Sequence, residues 1–141
     1  MECGIKVLSC NFSFNNKKIK IFAIYRCHVC KKRIFVNSFK KFLASNKNQN
    51  EHLIVGDFNI DFLKINKIGE KFINVLLEHA YLPYFNKFTR PFDKSHQSGS
   101  CIDNFFVKVS NLGAKAFKYI LPLPDHYPII LSIENKKKAV K

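Results

Sequence analysis

The short apolar run at residues 52–57 (HLIVGD) most constrains the fold of this 141-residue chain. A continuous apolar run of this length is typical of a strand that is buried on both faces. The run ends in Gly-Asp, so a carboxylate follows directly where the apolar stretch stops. The pattern therefore predicts a buried strand that ends at the edge of a functional site.

Strand and helix patterns alternate on either side of this run. Residues 5–14 and 19–25 predict a hairpin around a polar turn. Residues 33–47 and 65–81 carry apolar residues at helical spacing and predict two helices. Three later apolar runs predict strands, at residues 101–108, 114–121 and 127–134. Polar or Pro-rich stretches predict loops, at residues 26–32 and 82–100. The mixture predicts an α/β (α+β) layered domain with mixed and antiparallel strands.

The composition favours one folded domain. Hydrophobic residues make up 47% of the chain, and 15 of them are Phe, which is enough to form a core. No apolar run approaches the ~18–20 residues needed to cross a bilayer. The N-terminus lacks the basic and then apolar layout of a secretory signal. We therefore expect an intracellular chain without a membrane partner.

The chain is strongly basic, with a net charge of +14. Such a charge favours polyanions such as nucleic acid as partners. However, 21 of the 24 cations are Lys, and the chain also contains 14 Asn. A/T-rich codons encode both residue types, so genome composition is an alternative source of part of this charge.

The five cysteines do not predict a disulfide framework, because their number is odd and no secretory signal is present. We expect reduced thiols. Cys27 and Cys30 have the spacing of half a zinc site, but no second pair follows at a suitable distance. Zinc binding is therefore the less favoured interpretation.

Polar residues that could carry chemistry lie where apolar strands meet loops. Asp57 and Asn59 alternate along an extended segment and would face the same side. An Asp beside an Asn can orient a water molecule or bind a divalent metal. His126 could contact a phosphate, with Asp103 fixing its tautomer. Turns and strand caps are the alternative role for each of these residues.

The order and spacing of these motifs resemble the endonuclease/exonuclease/phosphatase family, and within it the endonuclease domains of non-LTR retrotransposons. The resemblance extends from about residue 5 to residue 133. Five segments carry it: 21–26 (IFAIYR), 52–61 (HLIVGDFNID), 85–90 (FNKFTR), 98–107 (SGSCIDNFFV) and 123–133 (LPDHYPIILSI).

The resemblance implies a four-layer α/β sandwich that cleaves phosphate esters with Mg²⁺ or Mn²⁺. Asp57 matches the acid that activates water and also binds metal, and Asp125 matches a metal-side or leaving-group carboxylate. Four further residues match catalytic positions: Asn59 as a phosphate and water ligand, Asp103 as the support of the catalytic His, His126 as that His, and Tyr25 as a phosphate contact.

The resemblance covers only the C-terminal part of the family domain. The family has an Asn and a metal-binding Glu ahead of the first hairpin, where this chain offers only Glu2, which lies too close to match. We therefore expect a partial four-layer sandwich, formed by one N-terminally truncated domain at residues 1–134 and followed by a basic tail at 135–141. An apolar sheet face would remain uncovered, and catalysis by this chain alone would lack one metal ligand.

The leading functional prediction is a retrotransposon-type DNA endonuclease. Its partner would be DNA, its location the nucleus, and its setting a larger polyprotein with a reverse transcriptase. Four basic residues near Tyr25 are predicted DNA contacts, with a solvated surface as the alternative: Arg26, Lys31, Lys32 and Arg33. Two other functions remain open, namely an inactive mobile-element remnant that binds nucleic acid by charge, and a phosphatase of the same family.

Overall fold

The computed structural model describes residues 5–14, 16–47, 51–95, 97–108, 112–121 and 125–135. The elements of this part of the chain are β1 (Lys6–Phe14), β2 (Lys17–Tyr25), α1 (Lys32–Ser45), β3 (Glu51–Asp57), α2 (Lys67–Glu78), β4 (Tyr81–Pro83), β5 (Arg90–Pro91), β6 (Gly99–Ser100), β7 (Asp103–Lys108), β8 (Leu112–Lys118) and β9 (Ile129–Asn135).

Five of these strands form one mixed sheet in the order β1-β2-β3-β7-β4. Strands β2 and β3 are parallel, because α1 carries the chain back between them. The pairs β1–β2, β3–β7 and β4–β7 are antiparallel. The predicted α/β class with mixed and antiparallel strands is confirmed, and the apolar run of β3 lies at the centre of the sheet.

Both helices pack on one face of this sheet and enclose a core rich in Phe. The two helices contribute Phe residues at helical spacing, and the sheet and the loop after β3 contribute others. Five Phe side chains in this core are at most 1% exposed: Phe35, Phe39, Phe58, Phe72 and Phe106. Fully burying a side chain of this size contributes about 1.5–3 kcal/mol, so this cluster holds the helices on the sheet.

Strands β8 and β9 form a second, two-stranded sheet on the opposite face. They cover the part of the face that includes Leu53, Phe105 and Val107, which are buried. The part formed by β1 and β2 stays open within the described residues, with Leu8 78% exposed and a groove of about 710 Å³.

The structure differs from the sequence predictions mainly in residues 78–100. Helix α2 ends at Glu78 because Ala80 adopts a left-handed backbone conformation (φ 61°), and the short strand β4 follows. The hairpin β5–β6 also lies in the stretch predicted to be loop. Strands this short have too few residues for a recognisable alternation of apolar and polar side chains.

The prediction of reduced cysteines is wrong for Cys30, which is disulfide-bonded. Cys10, Cys27 and Cys101 are free thiols. Glu2, Cys3 and the basic tail at 136–141 lie outside the described residues. Among the residues that are described, no helix combines the length and the apolar character needed to cross a membrane.

Candidate active site

The candidate site is built where β3 ends and β7 begins. Asp57 and Asp103 are direct partners in the antiparallel pairing of these strands. Their side chains therefore lie on the same face and near each other. Gly56 precedes Asp57, and a Cβ atom at this position would lie 1.8 Å from the carbonyl oxygen of Ile24. Only glycine lets β3 approach β2 this closely. Gly56 therefore allows Tyr25, at the end of β2, to lie beside Asp57, at the end of β3.

His126 completes a three-residue cluster with these two carboxylates. Its Nδ1 lies 2.8 Å from Oδ2 of Asp103, the distance of a hydrogen bond from Nδ1–H to the carboxylate. Asp57, Asp103 and His126 each offer one ligand atom within 4.8 Å of the others. Oxygen ligands suit Mg²⁺ and Mn²⁺, and the imidazole is also compatible with Mn²⁺. The three predicted residues are thus brought together in an arrangement that could hold a divalent cation.

The environment of Asp57 changes its acidity. Burial raises the pKa of this carboxyl above its usual value, and the nearby charge of Asp103 acts in the same direction. The backbone N–H of Asn59 and the charges of His126 and Arg26 act against this rise in pKa. A carboxylate with a raised pKa is a better acceptor of a proton from water, as the predicted role of Asp57 requires.

Asn59 turns back toward Asp57 after the strand ends. It adopts a left-handed backbone conformation (φ 48°), which Asn tolerates better than most residues. Its backbone N–H donates to Oδ1 of Asp57 at 2.9 Å, and its Nδ2 donates to the carbonyl oxygen of Arg26 at 2.9 Å. Among the described residues, Oδ1 of Asn59 accepts no hydrogen bond, so it is available to a ligand.

Tyr25, the predicted phosphate contact, lies beside this turn. It ends β2 and is the direct partner of Asp57 in the parallel pairing of β2 with β3. Its side chain is 46% exposed. A hydroxyl at this place could reach a phosphate group that is bound next to Asp57.

Thr89 has a role in the site that the sequence did not reveal. Its side chain is fully buried, and Oγ1 accepts hydrogen bonds from the N–H groups of Ile102 and Asp103, both at 3.2 Å. Its carbonyl oxygen accepts a hydrogen bond from the N–H of Tyr127 at 2.7 Å. Thr89 therefore connects the segment of Asp103 with the segment of His126. The FNKFTR motif contains Thr89, but no local sequence pattern identified the hydrogen-bond partners of this residue.

Asp61 and Asn104 make side-chain hydrogen bonds that stabilise the segments around Asp103. Oδ1 of Asp61 accepts from the N–H of Leu63 and from that of Cys101, both at 3.0 Å. Asn104 is fully buried, and it bonds both the N–H and the carbonyl of Phe85 through its side chain. Burial raises the pKa of the Cys101 thiol to about 12, so this sulfur is uncharged beside the site.

Asp125, the predicted metal-side carboxylate, is engaged by a neighbouring guanidinium. It lies outside the cluster of ligand atoms, and its carboxylate accepts two hydrogen bonds from Arg90, at 2.7 Å and 3.3 Å. Its Oδ2 is 3.9 Å from Nε2 of His126, which is beyond hydrogen-bond distance. The contact joins segments that are 35 residues apart, and the metal role of Asp125 stays a prediction.

The four basic residues that were predicted to contact DNA differ in their exposure. Arg26 is only 3% exposed, and its guanidinium donates to backbone carbonyl groups, so it is not available to nucleic acid. The prediction of a contact to DNA is therefore corrected for this residue. Lys31 and Arg33 are exposed, and Lys32 is half-buried, at the N-terminal end of α1. The structure leaves these three side chains at the surface.

Comparison with known proteins supports the fold. No protein-family model and no curated protein matches the sequence. Among solved structures, the chain is similar to an endonuclease/exonuclease/phosphatase family protein from Leptotrichia buccalis C-1013-b, with 15% identity and a TM-score of 0.64 over 91% of this chain and 53% of that one. It is also similar to the endonuclease domain of TRAS1, a telomere-specific non-LTR retrotransposon, with 13% identity and a TM-score of 0.68 over 94% and 69%.

A third similar structure is a mannosyl-6-phosphatase from Bacteroides thetaiotaomicron VPI-5482, with 19% identity and a TM-score of 0.54 over 85% of this chain and 52% of that one. The chain thus spans about half the length of two of these three proteins. It has the fold of the endonuclease/exonuclease/phosphatase family, so the resemblance predicted from the motifs is confirmed at the level of fold.

Proposed function

We propose that this chain carries the catalytic residues of a metal-dependent phosphoesterase that cleaves DNA. The observation that carries the proposal is the cluster of Asp57, Asp103 and His126 at the end of the central strands. Nucleases and phosphatases among the structural neighbours make hydrolysis of a phosphate ester the reaction class to test. Both kinds of reaction require an activated water molecule and stabilisation of charge on a phosphate.

Asp57 and Asp103 would hold the Mg²⁺ or Mn²⁺ ion together with water molecules, and His126 lies next to both carboxylates. Mg²⁺ commonly binds only one or two carboxylates of a protein and keeps several of its water ligands. This donor set therefore suits the ion. The ion would stabilise negative charge on the phosphate. The family's Asn and Glu precede the matched part of the domain, and the complete metal site would include them.

The chain's own residues supply the proton transfers and the orientation. Asp57 accepts a proton from the attacking water as a general base. Asp103 holds Nδ1–H of His126, so Nε2 is the nitrogen that remains for the phosphate. Oδ1 of Asn59 and the hydroxyl of Tyr25 are further polar groups beside Asp57 that can orient the substrate.

DNA is the proposed substrate because of charge. The net charge is +14, and Lys31, Lys32 and Arg33 lie at the N-terminal end of α1. Cations at this end of a helix oppose its macrodipole, and the first turn of α1 contains no acidic residue. Contact with a phosphate backbone would offset this unfavourable interaction. A DNA substrate would be met in the nucleus. The retrotransposon resemblance, and not the charge, is the reason to propose a reverse transcriptase in the same polyprotein.

The test is the nicking of supercoiled plasmid by the purified chain in Mg²⁺. We expect nicking that stops with EDTA and is lost in His126→Ala. His79→Ala is the matched control, because His79 bonds the carbonyl of Val75 at the end of α2, away from the cluster. Both variants must unfold in urea close to the wild-type midpoint.

The same charge also supports a second candidate, a catalytically inactive remnant that binds nucleic acid. A folded chain that binds DNA with steep salt dependence but does not nick it would contradict the nuclease and support this remnant. Hydrolysis of a phosphomonoester without nicking would instead favour a phosphatase. Salt dependence and phosphomonoester hydrolysis should therefore be measured on the same preparation.

A further inference from the structure

Arg26 makes an unusual set of contacts with the turn that follows β3. Its backbone N–H donates to the carbonyl of Asp57 at 2.9 Å. Its Nε donates to the carbonyl of Phe58 at 2.6 Å, and its Nη2 donates to that of Asn59 at 2.9 Å. Arg26 thus bonds the carbonyl groups of three consecutive residues, 57 to 59.

Asn59 in turn donates a hydrogen bond to Arg26. Its side-chain Nδ2 donates to the carbonyl of Arg26 at 2.9 Å, while its left-handed backbone lets the carbonyls of residues 58 and 59 both face the guanidinium. This bond uses the amide nitrogen of Asn59 and leaves Oδ1 for a ligand. The orientation of the Asn59 amide therefore depends on the turn lying against the backbone of residue 26, and the guanidinium holds the turn there through its carbonyls.

The guanidinium of Arg26 also bonds the loop between β2 and α1. Its Nη1 donates to the carbonyl groups of Cys27 and Cys30. The described residues place no carboxylate in an ion pair with Arg26, although it is almost completely buried. Burying a charge is costly unless hydrogen bonds satisfy it, and here backbone carbonyls alone do so.

We propose that Arg26 is a positioning residue for the candidate site, which orients Asp57 and Asn59 by binding the carbonyls of the turn that contains them. The proposal rests on the proposed function in so far as these two residues bind the metal and the phosphate. A planar guanidinium can bond carbonyls in two segments at once, whereas the ammonium of Lys cannot reproduce this geometry. The charge of residue 26 and its geometry can therefore be separated by mutation.

The test compares Arg26→Lys and Arg26→Met with the wild type, using ¹⁵N-labelled full chain. Mn²⁺ affinity is measured from the paramagnetic broadening of the His126 ring signals. The side-chain amide resonance of Asn59 reports the orientation of that amide. We expect about tenfold or greater loss of Mn²⁺ affinity in both variants, as found when residues supporting metal ligands are replaced, and a shifted Asn59 resonance.

Lys40→Met is the matched control, because it removes an exposed cation that pairs with Glu78 between the helices. It should leave Mn²⁺ affinity and the Asn59 resonance unchanged. A folded Arg26→Lys variant with wild-type values for both would overturn the proposal. A purely structural role would lower the stability against urea without changing the Mn²⁺ affinity of the folded fraction.

Two further results separate this proposal from the function itself. Absence of Mn²⁺ broadening in the wild type would contradict the proposed metal-dependent function, and the Asn59 resonance would then decide the positioning role alone. If neither variant folds, hydrogen exchange in the wild type tests the contacts on which the proposal rests. The Nε–H of Arg26 should exchange far more slowly than that of the exposed Arg33, and equal rates would overturn the proposal.

Discussion

Arg90 binds the carboxylate of Asp125 through two hydrogen bonds, from Nε at 2.7 Å and from Nη2 at 3.3 Å. The pair joins strand β5 to the residue that precedes His126. Both side chains remain well exposed, at 44% and 60%. The contact therefore places the His126 segment but contributes little to stability, since exposed ion pairs contribute up to about 1 kcal/mol.

This pairing predicts different effects for two aspartates. Asp125→Asn should leave the Mn²⁺ affinity within about threefold of wild type, because Asp125 is outside the ligand cluster. Asp57→Asn should lower it by about tenfold or more, because it removes a ligand atom. The measurement is the Mn²⁺ titration described above. An equal loss in the two variants would show that Asp125 leaves Arg90 to bind the metal.

Thr89 provides a prediction on stability. Thr89→Val keeps the shape but removes the acceptor for two backbone N–H groups, so it should lower the free energy of unfolding by about 2–3 kcal/mol. Thr89→Ser keeps the oxygen and loses one buried methyl group, at a cost of about 1 kcal/mol. Urea unfolding measures both. A larger loss in the Ser variant would show that packing and not hydrogen bonding determines the role of Thr89.

His52 predicts a dependence of stability on pH. Burial and the charges of Lys108 and Lys20 lower the pKa of this His in the folded chain. The unfolded chain therefore binds a proton first as the pH falls. The contribution of neutral His52 is fully present above the unfolded pKa of about 6.5 and is lost as the pH falls toward the lower, folded pKa.

The pH dependence can be assigned by substitution of His52. His52→Gln keeps an acceptor for the hydroxyl of Tyr81, which lies 2.9 Å from Nδ1. Between pH 7.5 and pH 5.5, the urea midpoint of the wild type should fall more steeply than that of this variant. His28→Gln, in an exposed loop, is the control and should retain the wild-type slope. Parallel slopes for the wild type and His52→Gln would contradict the prediction.

Much of the fold was predictable because its long elements have clear periodicity. The strands β1, β2, β3 and β7 and both helices lie where alternation, continuous apolar runs or helical spacing predicted them. The short elements β4, β5 and β6 were not predictable, since two or three residues carry no period. They form only because a long strand or a neighbouring loop offers hydrogen bonds to them.

The amino-acid sequence by itself determined which chemical groups stand at the strand ends, namely Asp57, Asn59, Asp103 and His126, and which fold their order resembles. Only the tertiary structure decided how these groups are held. It buries Arg26 against the turn of Asn59, which is 33 residues away along the chain, and pairs Arg90 with Asp125. Such contacts depend on the packing of distant segments, because a side chain's hydrogen-bond partners are those that the fold brings near and no local pattern encodes them.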